Sequence, residues 1–173
     1  MSFTFDGSGN AVLANGGTAS APAIRIRNAT NTGIYSAQDN QVGIAVAGSA
    51  RIEVLSQSTK VNNDFVCNSH TETVSRLGFT TGARTLTTSG VQRVTLTGNS
   101  TFSMPGAATA HAGRSIMLFV LTGAGGFTAT FNGVRWPNNT APVLTTSAQR
   151  MDIFCFVSDG FNWFGSVVQK YNA

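Results

Sequence analysis

Apolar and polar positions alternate along much of this chain with a period of two. Ile24 and Ile26 alternate with Arg25 and Arg27, and Val42, Ile44 and Val46 alternate with Gly43, Ala45 and Ala47. Successive side chains of a strand point to opposite faces of its sheet, so this period predicts half-buried strands. The pattern resumes with Ile52 and Val54 after Ala47-Gly48-Ser49, which predicts one hairpin over residues 42–54. Farther along, Phe127-Thr128-Ala129-Thr130-Phe131 leads through Asn132-Gly133 into Val134-Arg135-Trp136, and Asp159-Gly160 joins residues 151–158 to 161–168. Both dipeptides are strong two-residue turn signals, so two more hairpins are expected. Residues 116–121 and 153–157 are apolar at every position. Such runs predict central strands covered on both faces, as in a sandwich.

One stretch departs from this period. Ser69-His70-Thr71-Glu72 fits a capping box, Val74 and Leu77 follow at helical spacing, and Gly78 stands where a helix would end. It predicts one short linking helix with His70 at its first position. An isolated helix of that length is marginal in water and has to pack on something.

Composition turns the strand pattern into a fold class. Only 10% of the 173 residues are charged, 42% are apolar and 19 are glycine. Thr, Val, Phe and Ile with frequent Gly and Asn suit pleated strands and tight turns, whereas helical surfaces need Glu, Lys, Gln and Ala. The expectation is an all-β protein, with a C-terminal antiparallel β-sandwich knob. Coiled coil and disorder are excluded, the second because disordered chains are highly charged and poor in apolar surface. The expected segments are 1–15, a thin β module over 16–66, a linker over 67–81 with the short helix, and the knob over 82–173. The first part holds only Phe3, Phe5, Tyr35 and Phe65 as aromatics, thin material for a core of its own. Its burial is therefore expected to come from neighbouring copies.

Charge changes the picture little. Residues 1–81 balance five basic against five acidic side chains, while 82–173 carry six basic and two acidic, which is the whole net +4. The arginines are scattered singly, without the clustered basic face of nucleic-acid binders, so no nucleic-acid partner is expected. Residues 1–9 show no basic start and no apolar core of a signal peptide, which points to cytoplasmic synthesis. No apolar run approaches the roughly 20 residues of a membrane span. Cys67 and Cys155 lie far apart without metal-ligand spacing and read as reduced, buried thiols.

Catalytic patterns are missing. The seven acids are dispersed, and only Asp152 and Asp159 lie near each other in the knob; Asp159 is accounted for by its turn, and Asp152 is expected to point outward. His70 and His111 have no nucleophile pattern beside them, and His111 falls in a small-residue loop. Gly123-Ala124-Gly125-Gly126 lacks the Lys-Ser/Thr ending of a phosphate loop and reads as a turn. The expectation is a non-enzyme with no cofactor and no metal.

Two stretches carry a resemblance. Thr18-Ala19-Ser20-Ala21-Pro22-Ala23-Ile24-Arg25-Ile26, Asn31-Thr32-Gly33-Ile34-Tyr35-Ser36 and Asp39-Asn40-Gln41-Val42-Gly43-Ile44-Ala45-Val46-Ala47-Gly48 resemble the shaft module of tailed-bacteriophage fibre proteins. Leu96-Thr97-Gly98-Asn99-Ser100-Thr101-Phe102, Ala112-Gly113, Val134-Arg135-Trp136-Pro137, Ala141-Pro142-Val143-Leu144, Asp152 and Asp159-Gly160 resemble the terminal knob of the same fibres. The resemblance implies a homotrimer in the virion, with a short intertwined β shaft module over 16–66 and a β-sandwich tip that touches a host-surface receptor, here expected to be a glycan. A trimeric capsid decoration or head-spike protein is the alternative, and a polysaccharide-degrading tail enzyme a distant third. Phe3 and Phe5, on one face of an extended segment, are the candidates for docking on another virion protein by strand addition. Trp136 and Trp163 are expected to plug the core and Phe161 to start a strand. The candidate receptor contacts are Arg135, Asn138, Asn139 and Thr140, with Arg150 adding charge.

Overall fold

A computed structural model describes residues 3–5, 11–13, 16–26, 28–56 and 58–172, the first two of these segments by their backbone alone. Strand makes up 52% of the described residues and helix 5%, so the molecule is all-β. The chain divides into two units, Met1–Ser69 and His70–Ala173.

In the first unit, strands β1 (Phe3–Phe5) and β2 (Ala11–Leu13) pair antiparallel. A separate five-stranded meander follows: β3 (Ile24–Arg25), β4 (Gly33–Tyr35), β5 (Val42–Val46), β6 (Ser49–Leu55) and β7 (Ser58–Val61), each antiparallel to the next. The expected hairpin is β5–β6. Its turn is Ala47-Gly48, with φ of 53° and 77°, the left-handed pair that matches the twist of two antiparallel strands. The sense of burial is the unusual one. Gly43 and Ala45 are buried, while Val42, Ile44 and Val46 are 54%, 42% and 44% exposed. Tyr35 explains the small face: its ring lies over Gly43, where a Cβ would overlap it, and its hydroxyl donates to Glu53 Oε1 at 3.1 Å. Gln41 Nε2 donates to the same oxygen at 2.9 Å, and Asn62 Nδ2 to Glu53 Oε2 at 3.1 Å. These donors, Asn62 and then Tyr35 foremost and with help from Lys60 and Gln41, hold the Glu53 carboxyl below its ordinary value. Burial, and then the Glu53 hydrogen bond, push the Tyr35 hydroxyl up.

On the opposite face, register aligns Ile24 with Ile34, Ile34 with Ile44, Ile44 with Ile52 and Ile52 with Val61. One row of β-branched side chains thus crosses all five strands, and every member except the half-buried Ile52 is exposed. Among the described residues of this unit the buried apolar side chains are Pro22, Ala23, Tyr35 and Ala45.

The second unit is one rolled sheet. It comprises β8 (Val74–Thr85), β9 (Val91–Ser103), β10 (Ser115–Leu121), β11 (Ala129–Asn132), β12 (Val134–Arg135), β13 (Arg150–Ser158) and β14 (Trp163–Asn172). The hydrogen-bonded order is β11-β9-β10-β13-β14-β12, with β8 along the free side of β9. Leu86 N bonds Ser103 O at 2.9 Å while Thr87 N bonds Gln92 Oε1 at 3.0 Å. Adjacent residues therefore touch points eleven apart on β9, which would lie roughly 36 Å apart in a straight strand. So β9 is bent, its first half pairing with β10 and its last four residues with β11. Bends of this kind form the corners of sandwiches. The pairing is mixed: β10, β13 and β14 are antiparallel to their neighbours in that series, whereas β8–β9, β9–β10, β9–β11 and β12–β14 are parallel.

Asn132-Gly133 does not make a hairpin. Gly133 alone has positive φ, 75°, and Asn132 stays extended, so the chain passes from β11 at one end of the strand order to β12 at the other. A type I′ turn needs both central residues left-handed. With a single residue between them those two strands must be neighbours in space, which rolls the sheet around its core. Phe131 and Trp136, either side of this corner, pack with Phe102, Phe154 and Phe156, ring centroids 4.5–6.3 Å apart. Trp163 is buried as expected, its Nε1 donating to Gly106 O at 3.3 Å.

The short linking helix is absent. Residues 74–85 form β8, and Gly78, expected to end a helix, has φ of 73° at a register shift against β9. The ladder offered by β9 outweighs a helical turn too short to hold itself. Asp159-Gly160 does join β13 to β14, through a four-residue loop. Asp159 Oδ1 accepts from Phe161 N and Asn162 N, both at 2.7 Å, and these bonds, with Arg135 nearby, hold its carboxyl below the ordinary range.

Asp152 does not point outward. It alternates inward with Phe154 and Phe156 and is fully buried, because residues 143–146 and a bulge in β14 fold over it. The cysteines are free but not buried: Cys67 lies in the irregular stretch before β8, and Cys155 faces outward from β13. The runs 116–121 and 153–157 are covered on one face only, through Ile116, Leu118, Val120, Phe154 and Phe156.

Candidate functional site

The receptor contacts expected from the sequence do not form one site. Arg135 stands opposite Phe164 at the start of β14, and Arg150 opposite Asn172 at its end. Eight residues of strand separate those levels, roughly 26 Å. Asn138, Asn139 and Thr140 lie between them, on the segment that returns along β14 until Gln169 Nε2 reaches Val143 O. The two asparagines are left-handed, each with φ of 53°, in a 3-10 turn over Pro137–Asn139 closed by Thr140 N on Pro137 O at 3.1 Å. Asparagine tolerates that conformation better than other residues with a Cβ, so the pair is explained by its turn. The docking role expected of Phe3 and Phe5 lies outside the described residues, apart from their backbone in β1.

What the fold does bring together is one end of the rolled sheet. Residues 104–114, 132–135 and 158–163 converge there. Ser158 ties the first of these segments to the last, its N donating to Arg114 O at 3.0 Å, its hydroxyl to Ala108 O at 3.0 Å, and its carbonyl accepting from Gly113 N at 2.9 Å. His111 ends the 3-10 turn Ala108–His111 and leans on Trp163, centroids 5.9 Å apart, so it is a packed residue rather than a loose loop side chain. Arg135 Nε donates to Asn162 Oδ1 at 2.7 Å, which carries its guanidinium toward the Asp159 turn. A depression of about 340 Å³ opens between Met104, Gly106, Asn132, Phe161 and Asn162.

Phe161 rises at the rim of this depression with 82% of its surface exposed. The Asx turn at Asp159 fixes its backbone, so the ring is presented from a rigid base. An exposed ring beside amide and guanidinium groups can stack on the C–H face of a sugar while the polar groups take its hydroxyls. Of the candidates from the sequence only Arg135 belongs to this set; Phe161 was expected to start a strand, and Asn162 and Asn132 were missed. Phe161 lies instead in the loop, two residues before β14 begins, because the Asp159 carboxylate holds its N–H and that of Asn162. Among the described residues no three His, Cys, Asp or Glu side chains are grouped to hold a metal ion.

No family matches. Comparison with curated proteins and with solved structures likewise gave no match to this chain. No helix among the described residues is long and apolar enough to cross a membrane.

Proposed function

We propose that this chain is a structural and adhesive virion protein of a tailed bacteriophage: a short homotrimeric fibre whose His70–Ala173 unit binds a host-surface glycan through the Phe161 end. One observation carries the reading. The Met1–Ser69 unit presents an exposed row from Ile24 to Val61 across five strands, and its described residues bury only four apolar side chains. Ordering a residue costs about 1–2 kcal/mol of backbone entropy, and so small a core does not offset that over five strands. Copies of the same chain would bury the row, as the shaft of a fibre does. The exposed ring with Arg135, Asn132 and Asn162 supports a sugar ligand, and the N-terminal segment is left to dock on another virion protein.

Light scattering tests the assembly: a mass three times the 18.0 kDa of one chain is expected, with a species that resists SDS until heated. A monomer refutes it. Pull-down on bacterial cells tests adhesion, with binding lost in Phe161→Ala combined with Arg135→Ala at unchanged mass. Binding to purified phage heads instead of cells would make the protein a capsid decoration.

A further inference from the structure

The rolled sheet has a second apolar face. Strands β10 and β13 bury Ile116, Leu118, Val120, Phe154 and Phe156 on one side, and their alternate residues form rows on the other. Register aligns Val91, Met117, Cys155 and Ser166 in one row, and Arg93, Phe119, Ile153 and Val168 in the next. Val157 and Phe164 extend the face above them. Met117, Val157 and Val168 are 39%, 47% and 56% exposed, and Arg93 is the one charge in these two rows. Both strands are hydrogen-bonded on each side, so no added strand can pair with them and only another surface can cover them.

We propose that a second copy of this chain covers this outer face, so that the His70–Ala173 units touch through β10, β13 and β14. The inference rests on the self-assembly proposed above and assigns its contact in this unit. Two features favour a copy over a foreign partner. The centre of the face carries one charge, Arg93, with Glu72, Arg76 and Arg135 at its margins, and an apolar centre complements itself without matching signs. It combines a hollow of about 530 Å³ beside Met117, Cys155, Val157 and Phe164 with the projecting Val168 and Tyr171, so projections of one copy can enter the hollow of another. The four strands β9, β10, β13 and β14, about 4.8 Å apart, and seven residues of about 3.3 Å each outline roughly 440 Å², about half of the ~800 Å² each partner buries in a stable interface, so this contact adds to that of the shaft.

Cys155 reports on the contact. In a lone chain its thiol is exposed, as is that of Cys67. The full-length variants Cys67→Ser and Cys155→Ser each keep one thiol for reaction with Ellman's reagent, alongside a mass by light scattering. The expected result is an oligomer in which Cys155 reacts about 100-fold more slowly than Cys67, and at the same rate after denaturation. In the Cys67→Ser background, Val168→Glu, a change at an exposed position, should release Cys155 while the shaft row keeps the mass unchanged. An oligomer with freely reactive Cys155 before the change, or one whose Cys155 protection survives Val168→Glu, overturns this contact and leaves self-assembly standing. A monomer overturns both.

Discussion

Asp152→Asn separates a buried carboxylate from its donors while changing side-chain volume very little. The carboxylate accepts four hydrogen bonds: on Oδ2 from Thr145 N at 2.7 Å and Gln169 Nε2 at 3.0 Å, and on Oδ1 from Thr145 Oγ1 at 2.8 Å and Lys170 N at 3.0 Å. It thereby fastens residues 143–146 and the β14 bulge to β13. An amide can replace either oxygen. Its NH2 in the Oδ2 place would face two N–H donors. In the Oδ1 place it would face a hydroxyl, which can turn to accept, and the Lys170 N–H, which cannot, so this is the cheaper orientation. One orphaned N–H costs about 1–3 kcal/mol, and the remaining bonds each lose about 1 kcal/mol of charge assistance, offset in part by removing a buried charge. The expected loss is about 2–4 kcal/mol. Both tryptophans lie in this unit, so their fluorescence in urea follows it alone. With a slope of about 1.5 kcal/mol/M, the midpoint should fall by roughly 2 M at fixed protein concentration. Thr145→Val, which removes only the hydroxyl, should cost about 1 kcal/mol and be largely non-additive with Asp152→Asn. A midpoint for Asp152→Asn within about 0.3 M of wild type would refute the reasoning, since it would mean that the four donors are satisfied without the charge.

Three further changes test other parts of the structure. Ala47 is an exposed non-glycine residue with φ of 53°, so Ala47→Asn should raise stability by about 0.5–1 kcal/mol, read as a higher Tm. A Cβ at Gly165 would come 2.5 Å from Trp136 Cζ3 and 2.8 Å from Val134 Cγ1. Gly165→Ala should therefore cost about 1–3 kcal/mol and alter the near-UV circular dichroism of the tryptophans. Glu53 is held below its ordinary value of 4.5 in the folded chain, so its contribution is present above that pH and is lost as pH falls through the lower folded value. The difference in urea midpoint between wild type and Glu53→Gln should accordingly shrink as pH drops below 4.5, and a difference that grows there would contradict the Asn62 and Tyr35 hydrogen bonds.

What the sequence determined by itself was whatever depends on neighbouring residues. Alternation of branched and small or polar positions specified strands, the low charge and abundant Thr and Gly specified an all-β chain, and Ala47-Gly48 and Asp159-Gly160 marked two hairpins that the structure contains. Backbone preference at those positions is local, so it is legible without the fold. The tertiary structure decided everything that rests on distant pairing. Tyr35 over Gly43 turned Val42, Ile44 and Val46 outward, against the ordinary sense of the pattern. A parallel partner in β9 made a strand of residues that cap and space like a helix. The demand of the aromatic core for both Phe131 and Trp136 kept Asn132 extended and made a corner of the strongest hairpin signal. Closure over the end of the core drew Asp152 inside, where its donors come from residues 7 to 18 positions away. Arg135 and Arg150 were separated by the length of β14, and Phe161 was raised beside Arg135 instead. Register and sheet order bring together residues far apart in the chain, and no local preference encodes them.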